Sequence, residues 1–197
     1  RFGGVTGDFQ GDAALGFWGW PFESADAPLN ACRAALGIRK EFEAASKLAG
    51  HPLADFEMGI GIAHGLAVAG KIGTQDQVKV TVFGPVVNLA SRLETMTSQL
   101  RVSILIDEPT ARFAKERMDK DEGRTRRMGR VLPVGLEMPV EVSELLPPFS
   151  EFPLLSDEQI TQYEQGVEHF TEGDWERSEE HTSELQSRRK LVCRLLL

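Results

Sequence analysis

Long hydrophobic runs are missing from this chain. No stretch approaches 18 uninterrupted apolar residues, so no helical membrane span is encoded in it. Positive charge is scarce as well: 22 lysines and arginines stand against 30 aspartates and glutamates, for a net charge of -8. That balance disfavours nonspecific attachment to nucleic acid or to an anionic membrane. Cysteine is limited to Cys32 and Cys193, far apart and without metal-ligand spacing, so a reduced, cytoplasmic setting is the default. A starting methionine and a signal peptide are lacking too. Arg1 opens in mid-pattern, and the expectation is a fragment of a longer protein.

What is there reads as a folded domain. The 197 residues, 41% of them hydrophobic, suffice for one domain of ordinary size with an appendage. FQGDAALGFWGWP places a Gly-Asp pair between apolar flanks, which predicts a hairpin turning near Gln10-Gly11-Asp12 with a strand over 13–18. A helix is expected from about Ala27. Leu29, Cys32, Leu36 and Phe42 recur at helical spacing, Pro28 suits a first turn and Gly50 suits a stop. FEMGIGIAHG predicts a strand over 56–63 whose glycines allow close approach of another backbone or a ligand. LAVAGKIG is a second strand or a loop, and VKVTVFG another strand by its β-branched alternation.

Pro85 then opens a helix to about Thr95, with Val87, Leu89, Ala90 and Leu93 on its apolar side. VSILID predicts a short buried strand, EPTARFAKER a short helix, and MGRVLPVGLEMPVEVSELL two β segments joined around Gly135. Strands that alternate and pair, with helices on one side, predict an α+β fold, an α/β sandwich. PPFSEFPLLSDEQ is a Pro-rich linker. Beyond it, Tyr163, Gly166, Phe170, Gly173 and Trp175 stand at positions resembling the first half of a tetratricopeptide repeat. One half-repeat cannot bury its own face and is marginal alone. The stretch RSEEHTSELQS reads like a translated sequencing-library adapter, so residues 177–197 are set aside from fold reasoning.

TVFGPVVNLASRLE carries the sharpest chemical signal. Asn88 and Arg92 stand four residues apart on one helix face. Spacing alone leaves two readings open: surface decoration, or a pair that handles an anionic or polar group in a cleft. Context narrows them. GDFQGDAALGFWG, MGIGIAHGLAVAGKIG and TVFGPVVNLASRLE follow one another in the order, and at about the spacing, of class III nucleotidyl cyclase catalytic domains. The chain resembles that family from Gly4 to about Leu146.

The resemblance implies a ferredoxin-like cyclase fold lacking its first strand and the helices after it, with a short helical C-terminal appendage. Residues 1–146 are then a partial catalytic domain, 147–158 the linker, 159–176 the start of a tetratricopeptide-like region and 177–197 the adapter remnant. It further implies a homodimeric enzyme that turns a nucleoside triphosphate into a 3′,5′-cyclic nucleotide and pyrophosphate. The substrate is ATP, with GTP as the alternative, and the ribose 3′-oxygen attacks the α-phosphorus with help from two divalent ions, Mg²⁺ or Mn²⁺. Asp12 matches the second of the family's two metal-holding aspartates, and a carboxylate on a rigid turn suits a hard cation. The first of those aspartates belongs to an upstream strand that this sequence does not contain. Asn88 and Arg92 match the transition-state pair, Asn88 orienting the ribose and Arg92 meeting charge on the phosphate. In the family they face the metal-holding aspartates of the other subunit, so each site is completed across a two-fold axis.

Base selection departs from the family pattern. Asp8 stands where adenine-selective members carry Lys and guanine-selective ones Glu. It pulls toward GTP, but it is a methylene shorter than Glu and reads equally well as a plain turn residue. Thr81 falls at the other base-reading position, where a hydroxyl discriminates little. Val134 and Gly135 occupy the place where a Lys-Gly commonly holds the triphosphate, leaving Arg127 and Arg130 as nearby candidates. Lys71 lacks Walker spacing and reads as an exposed lysine, and His64 reads as a strand-end residue near the dimer interface rather than a general base. Trp18 and Trp20 read as core and interface aromatics. No nucleic-acid partner and no membrane contact are expected from this segment. The alternative function is a cyclase-homology module that binds nucleotide or a partner without turnover. Asp8 and the unfilled lysine position favour it; Asp12, Asn88 and Arg92 oppose it.

Overall fold

A computed structural model describes residues 2–54, 56–73, 78–174 and 177–178. Trp175 and residues 179–197, Cys193 among them, lie outside the described residues. β1 (Val5–Gln10) and β2 (Ala13–Phe17) form the expected hairpin. Gln10 pairs with Ala13, so Gly11 and Asp12 alone make the turn. Gly11 takes φ +65, which glycine adopts without a Cβ clash. The register shifts between Thr6 and Phe9, a bulge that spans Gly7 and Asp8.

α1 (Ala27–Ser46) follows, starting at the Ala-Pro pair that the sequence marks and burying Leu29, Cys32 and Ala35. Next come β3 (Ile60–Ile62), the hairpin β4 (Val68–Gly73) and β5 (Val78–Phe83), and α2 (Pro85–Leu100). β6 (Ile104–Asp107), α3 (Glu108–Arg117), β7 (Arg124–Val131), β8 (Val140–Leu146) and α4 (Asp157–Glu172) complete the chain order. The main sheet runs β3-β6-β8-β7, with β3 parallel to β6 and the other neighbours antiparallel.

Strand β6 explains the layering. Ile104, Leu105 and Ile106 are all fully buried, so this strand needs apolar cover on both faces. Ile104 and Ile106 pack with Cys32, Ala35 and Ala111, which belong to α1 and α3. Leu105 packs on the opposite face with Leu93 of α2 and with Tyr163 and Val167 of α4. Helices therefore lie on both sides of the sheet, where chain order had suggested one. The α+β class stands as expected.

Two glycines set how close α2 comes to β3. A Cβ built at Gly61 would lie 2.1 Å from the Ala90 carbonyl oxygen and 2.3 Å from the Glu94 nitrogen, and one at Gly59 would lie 2.2 Å from Thr97 Oγ1. Only residues without a side chain let the helix backbone rest directly on the strand. β3 is correspondingly shorter than the expected span of 56–63. α2 runs past Thr95 to Leu100, because Met96 and Leu100 continue the stripe that packs on the core.

The Pro-rich stretch is tied down rather than extended. The buried Arg124 guanidinium donates to the carbonyls of Leu155 at 2.6 Å, Pro147 at 3.2 Å and Phe152 at 3.2 Å. Ser156 and Gln159 then form a reciprocal capping box that starts α4. The helix buries Ile160, Tyr163, Gly166 and Val167, and Glu164 Oε1 accepts the backbone N–H of Arg127 on β7 at 2.7 Å. The apolar face of α4 is thus covered by the sheet itself.

Candidate functional site

The outward side of α2 follows from its inward side. Leu93 and Thr97 are buried, and Ala90 and Glu94 rest on Gly61, so Asn88 and Arg92 are left facing out; both are exposed. The helix opens at Gly84, whose φ of +152 turns the chain from β5 into Pro85. A Cβ at Gly84 would come within 3.1 Å of the Leu66 carbonyl oxygen, so this corner is also tight. The Asn–Arg pair therefore projects from a helix whose position is set by backbone-to-backbone contact.

Across from Arg92 lies the turn between β7 and β8. A Cβ added to Gly135, at φ +84, would sit 3.9 Å from Arg92 Nη2. This juxtaposition was not legible in the sequence; the only hint was the turn-forming Gly135 itself. Arg127 and Arg130 are on the strand leading to that turn. Arg127 Nε is paired with Glu141 at 2.8 Å, whereas Arg130, the more exposed of the two, lies 3.9 Å from the same carboxylate. Arg130 is the freer cation.

Thr81 is half-buried and directly opposite Gly70 in the β4–β5 ladder. Opposed residues share a face, and a Cβ at Gly70 would meet nothing within 4 Å, so the sheet surface beside Thr81 is open. The β1–β2 hairpin lies against β5. Asp12 is exposed at the hairpin tip, and Asp8 falls within the bulge of β1.

Asp12 is a hard oxygen donor suited by its chemistry to Mg²⁺ or Mn²⁺. One carboxylate is too few, and the described residues include no group of three or more His, Cys, Asp or Glu side chains that could hold an ion. The two-ion centre implied by the resemblance is therefore not complete within them.

The remaining residues singled out in the sequence fall into structural places. Lys71 is exposed on strand β4, not on a loop entering a helix. His64 follows β3; its backbone N–H donates to Asp107 Oδ2 at 3.0 Å and its ring meets Phe113 edge-on at 5.3 Å. Trp18 Nε1 donates to the Phe2 carbonyl at 2.8 Å. Large apolar side chains stand exposed around the site: Val68 and Phe83 on the β4–β5 hairpin, and Val134 and Met138 on the β7–β8 turn. No described helix is long and apolar enough to cross a membrane.

Comparison with known proteins places this arrangement. The family model for the adenylate and guanylate cyclase catalytic domain matches residues 10–129. Adenylate cyclase 1 of Rhizobium meliloti (strain 1021) is 34% identical over 105 residues, which is 52% of this chain and 16% of that protein. The terminal-differentiation-specific adenylate cyclase of Dictyostelium discoideum is 32% identical over 111 residues, 55% of this chain and 5% of that protein. The chain thus spans a small part of the length of these curated relatives. Among solved structures, the guanylyl cyclase Cya2 matches with TM-score 0.59 and 30% identity over 73% of this chain and 70% of that one. The adenylyl cyclase CyaB of P. aeruginosa matches with TM-score 0.58 and 25% identity, over 74% and 72%. With the three sequence motifs, the α+β fold and these matches in agreement, the chain belongs to the class III adenylate and guanylate cyclase catalytic-domain family.

Proposed function

We propose that this chain is part of the catalytic machinery of a nucleotidyl cyclase that converts ATP, with GTP as the alternative, to its 3′,5′-cyclic nucleotide and pyrophosphate. The observation that carries the reading is the α2 geometry: an amide and a guanidinium, one turn apart and exposed, on a helix held against β3 by Gly59 and Gly61. A fixed cation is worth most where charge develops during reaction, because no reorganisation is needed at that moment. Arg92 meets the charge that grows on the α-phosphate oxygens as the 3′-oxygen attacks. Asn88 holds the ribose so that this oxygen is in line with the leaving pyrophosphate. Thr81 and Asp8 are the base-reading positions, and Asp12 is this chain's contribution to holding a divalent ion, Mg²⁺ or Mn²⁺.

The exposed apolar side chains of the β4–β5 hairpin and the β7–β8 turn support a second copy as their cover, since large exposed apolar patches mark association surfaces. The alternative, a module that binds without turnover, is favoured by the incomplete ion-holding set and by Asp8. A direct test grafts the upstream strand of the Rhizobium meliloti relative in front of Arg1 and assays ATP and GTP with Mn²⁺. Cyclic nucleotide should form, and Asn88→Ala or Arg92→Ala should each lower turnover by about a hundredfold, as for a lost electrostatic stabiliser. Unchanged turnover in both variants would remove the assigned roles. Nucleotide binding without turnover in the unsubstituted graft would favour the alternative.

A further inference from the structure

The β7–β8 ladder is interrupted at one place, and α4 rests on the interruption. The register shifts between Arg127 and Gly129, leaving Met128 as an extra residue in β7. Met128 is buried in the same core cluster as Leu93 of α2 and Tyr163 and Val167 of α4. Gly129 takes φ +111, and a Cβ there would lie 3.3 Å from Val167 Cγ1, so the helix sits close on the backbone of the bulge.

Arg127, at the start of the bulge, is held from two sides. Its backbone N–H is accepted by Glu164 Oε1 of α4 at 2.7 Å, and its guanidinium is paired with Glu141 of β8 at 2.8 Å. Glu164 is half-buried, and Lys115 Nζ of α3 lies 3.5 Å from the same carboxylate oxygen. A bulge disrupts the ladder locally, and the backbone groups it frees need other partners. A carboxylate is a strong one, because the hydrogen bond it accepts is charge-assisted.

The effect of fixing the bulge reaches the candidate site. Beyond it, β7 runs through Arg130 and Val131 to the turn where Gly135 comes beside Arg92. A bulge sets the bend and twist of the strand that leaves it, so the group that fixes the bulge also fixes where this turn lies. Val131 and Val140, at the base of the turn, and Leu89 of α2 pack against the cluster that holds Met128. Turn, α2 and α4 thus share one support.

We infer that Glu164 is a positioning residue for the site: it fixes the β7 bulge and thereby holds the β7–β8 turn beside Arg92. The support comes from α4, outside the residues that the cyclase family model matches. The expected effect on turnover rests on the role proposed above for Arg92, whereas the effect on the ladder does not.

The test compares Glu164→Ala with Glu164→Gln, whose side-chain oxygen still accepts a hydrogen bond. In the 197-residue chain, Glu164→Ala should speed amide exchange about tenfold in the ladder beyond the bulge. That segment pairs residues 129–131 with 140–142; exchange where 124–126 pair with 144–146 should not change. In the strand-grafted protein with Mn²⁺, Glu164→Ala should lower kcat about tenfold at unchanged KM, and Glu164→Gln should stay within about threefold of the unsubstituted protein. Added to Arg92→Ala, Glu164→Ala should cost nothing further, since it acts through the turn beside Arg92. A merely structural role would speed exchange equally on both sides of the bulge and make the two substitutions multiply. Either of those results overturns the inference, as does unchanged exchange in Glu164→Ala. So does an unchanged kcat in Glu164→Ala where Arg92→Ala lowers turnover. If Arg92→Ala itself leaves turnover unchanged, the proposed function fails instead, and the exchange asymmetry alone decides whether Glu164 holds the turn.

Discussion

Replacing Gly61 by alanine adds a single methyl group at the tightest contact in the fold. That methyl would lie 2.1 Å from the Ala90 carbonyl oxygen and 2.3 Å from the Glu94 nitrogen, and both are backbone atoms of α2 that cannot rotate away. Restoring an ordinary separation of 3.4 Å requires the helix to retreat from β3 by more than 1 Å. Overpacking of this kind costs about 1–3 kcal/mol, here toward the upper end because no side chain can yield. For a chain of this size the loss corresponds to a fall of roughly 4–10 °C in melting temperature. The same displacement carries Asn88 and Arg92 with it, and a misplacement of about 1 Å can cost on the order of a hundredfold in rate. Thermal denaturation followed by circular dichroism reads the first effect, and turnover by the strand-grafted protein reads the second. Gly70→Ala is the internal control: it places a methyl on strand β4 where nothing lies within 4 Å, and its effect should stay within about 0.5 kcal/mol. If Gly61→Ala and Gly70→Ala melt together, α2 is not held by this contact and the account of how the Asn–Arg pair is positioned fails.

Arg124→Ala strands the carbonyls of Pro147, Phe152 and Leu155 at once. Urea denaturation should show a loss of about 2–4 kcal/mol, with protease sensitivity appearing first near residues 147–156. Asp157, hydrogen-bonded by Lys120 and then by Arg124, has its carboxyl held below the usual carboxylate range. Its charged form is favoured by folding, so its contribution is present above that range and is lost as pH falls through it. Hydrogen-exchange protection in α4, taken relative to the intrinsic rate at each pH, should accordingly fall on acidification, and an Asp157→Asn protein should show a flatter profile. The 197-residue chain without a grafted strand should make little cyclic nucleotide in a Mn²⁺ assay with ATP or GTP, and robust turnover would contradict the expectation that a metal-holding aspartate lies upstream.

Much of the candidate site was legible because its determinants are local. Residues four apart on a helix share a face whatever the helix packs against, so Asn88 and Arg92 could be paired from spacing alone. A Gly-Asp turn between apolar flanks likewise put Asp12 at a hairpin tip. Other features had only a weak signal. The sequence reading ends α2 near Thr95, whereas in the fold the helix continues to Leu100, and the hydroxyls of Thr95, Thr97 and Ser98 each donate to a carbonyl of their own helix. The approach of Arg92 to the turn at Gly135 brings together segments more than forty residues apart, and no periodicity encodes it.

The amino-acid sequence by itself determined the elements, the turn chemistry, the outward pair on α2 and the family, since all of these depend on the order of residues along one stretch of chain. Tertiary structure alone decided that α4 covers the sheet, that Arg124 binds down the stretch before it, that Gly61 sets the seat of α2, and that Arg126 is buried against Glu144 and the Tyr163 ring. Each of these is a meeting of atoms distant in sequence. Which distant surfaces meet is settled by the burial of apolar area over the whole fold, to which no single segment holds the key.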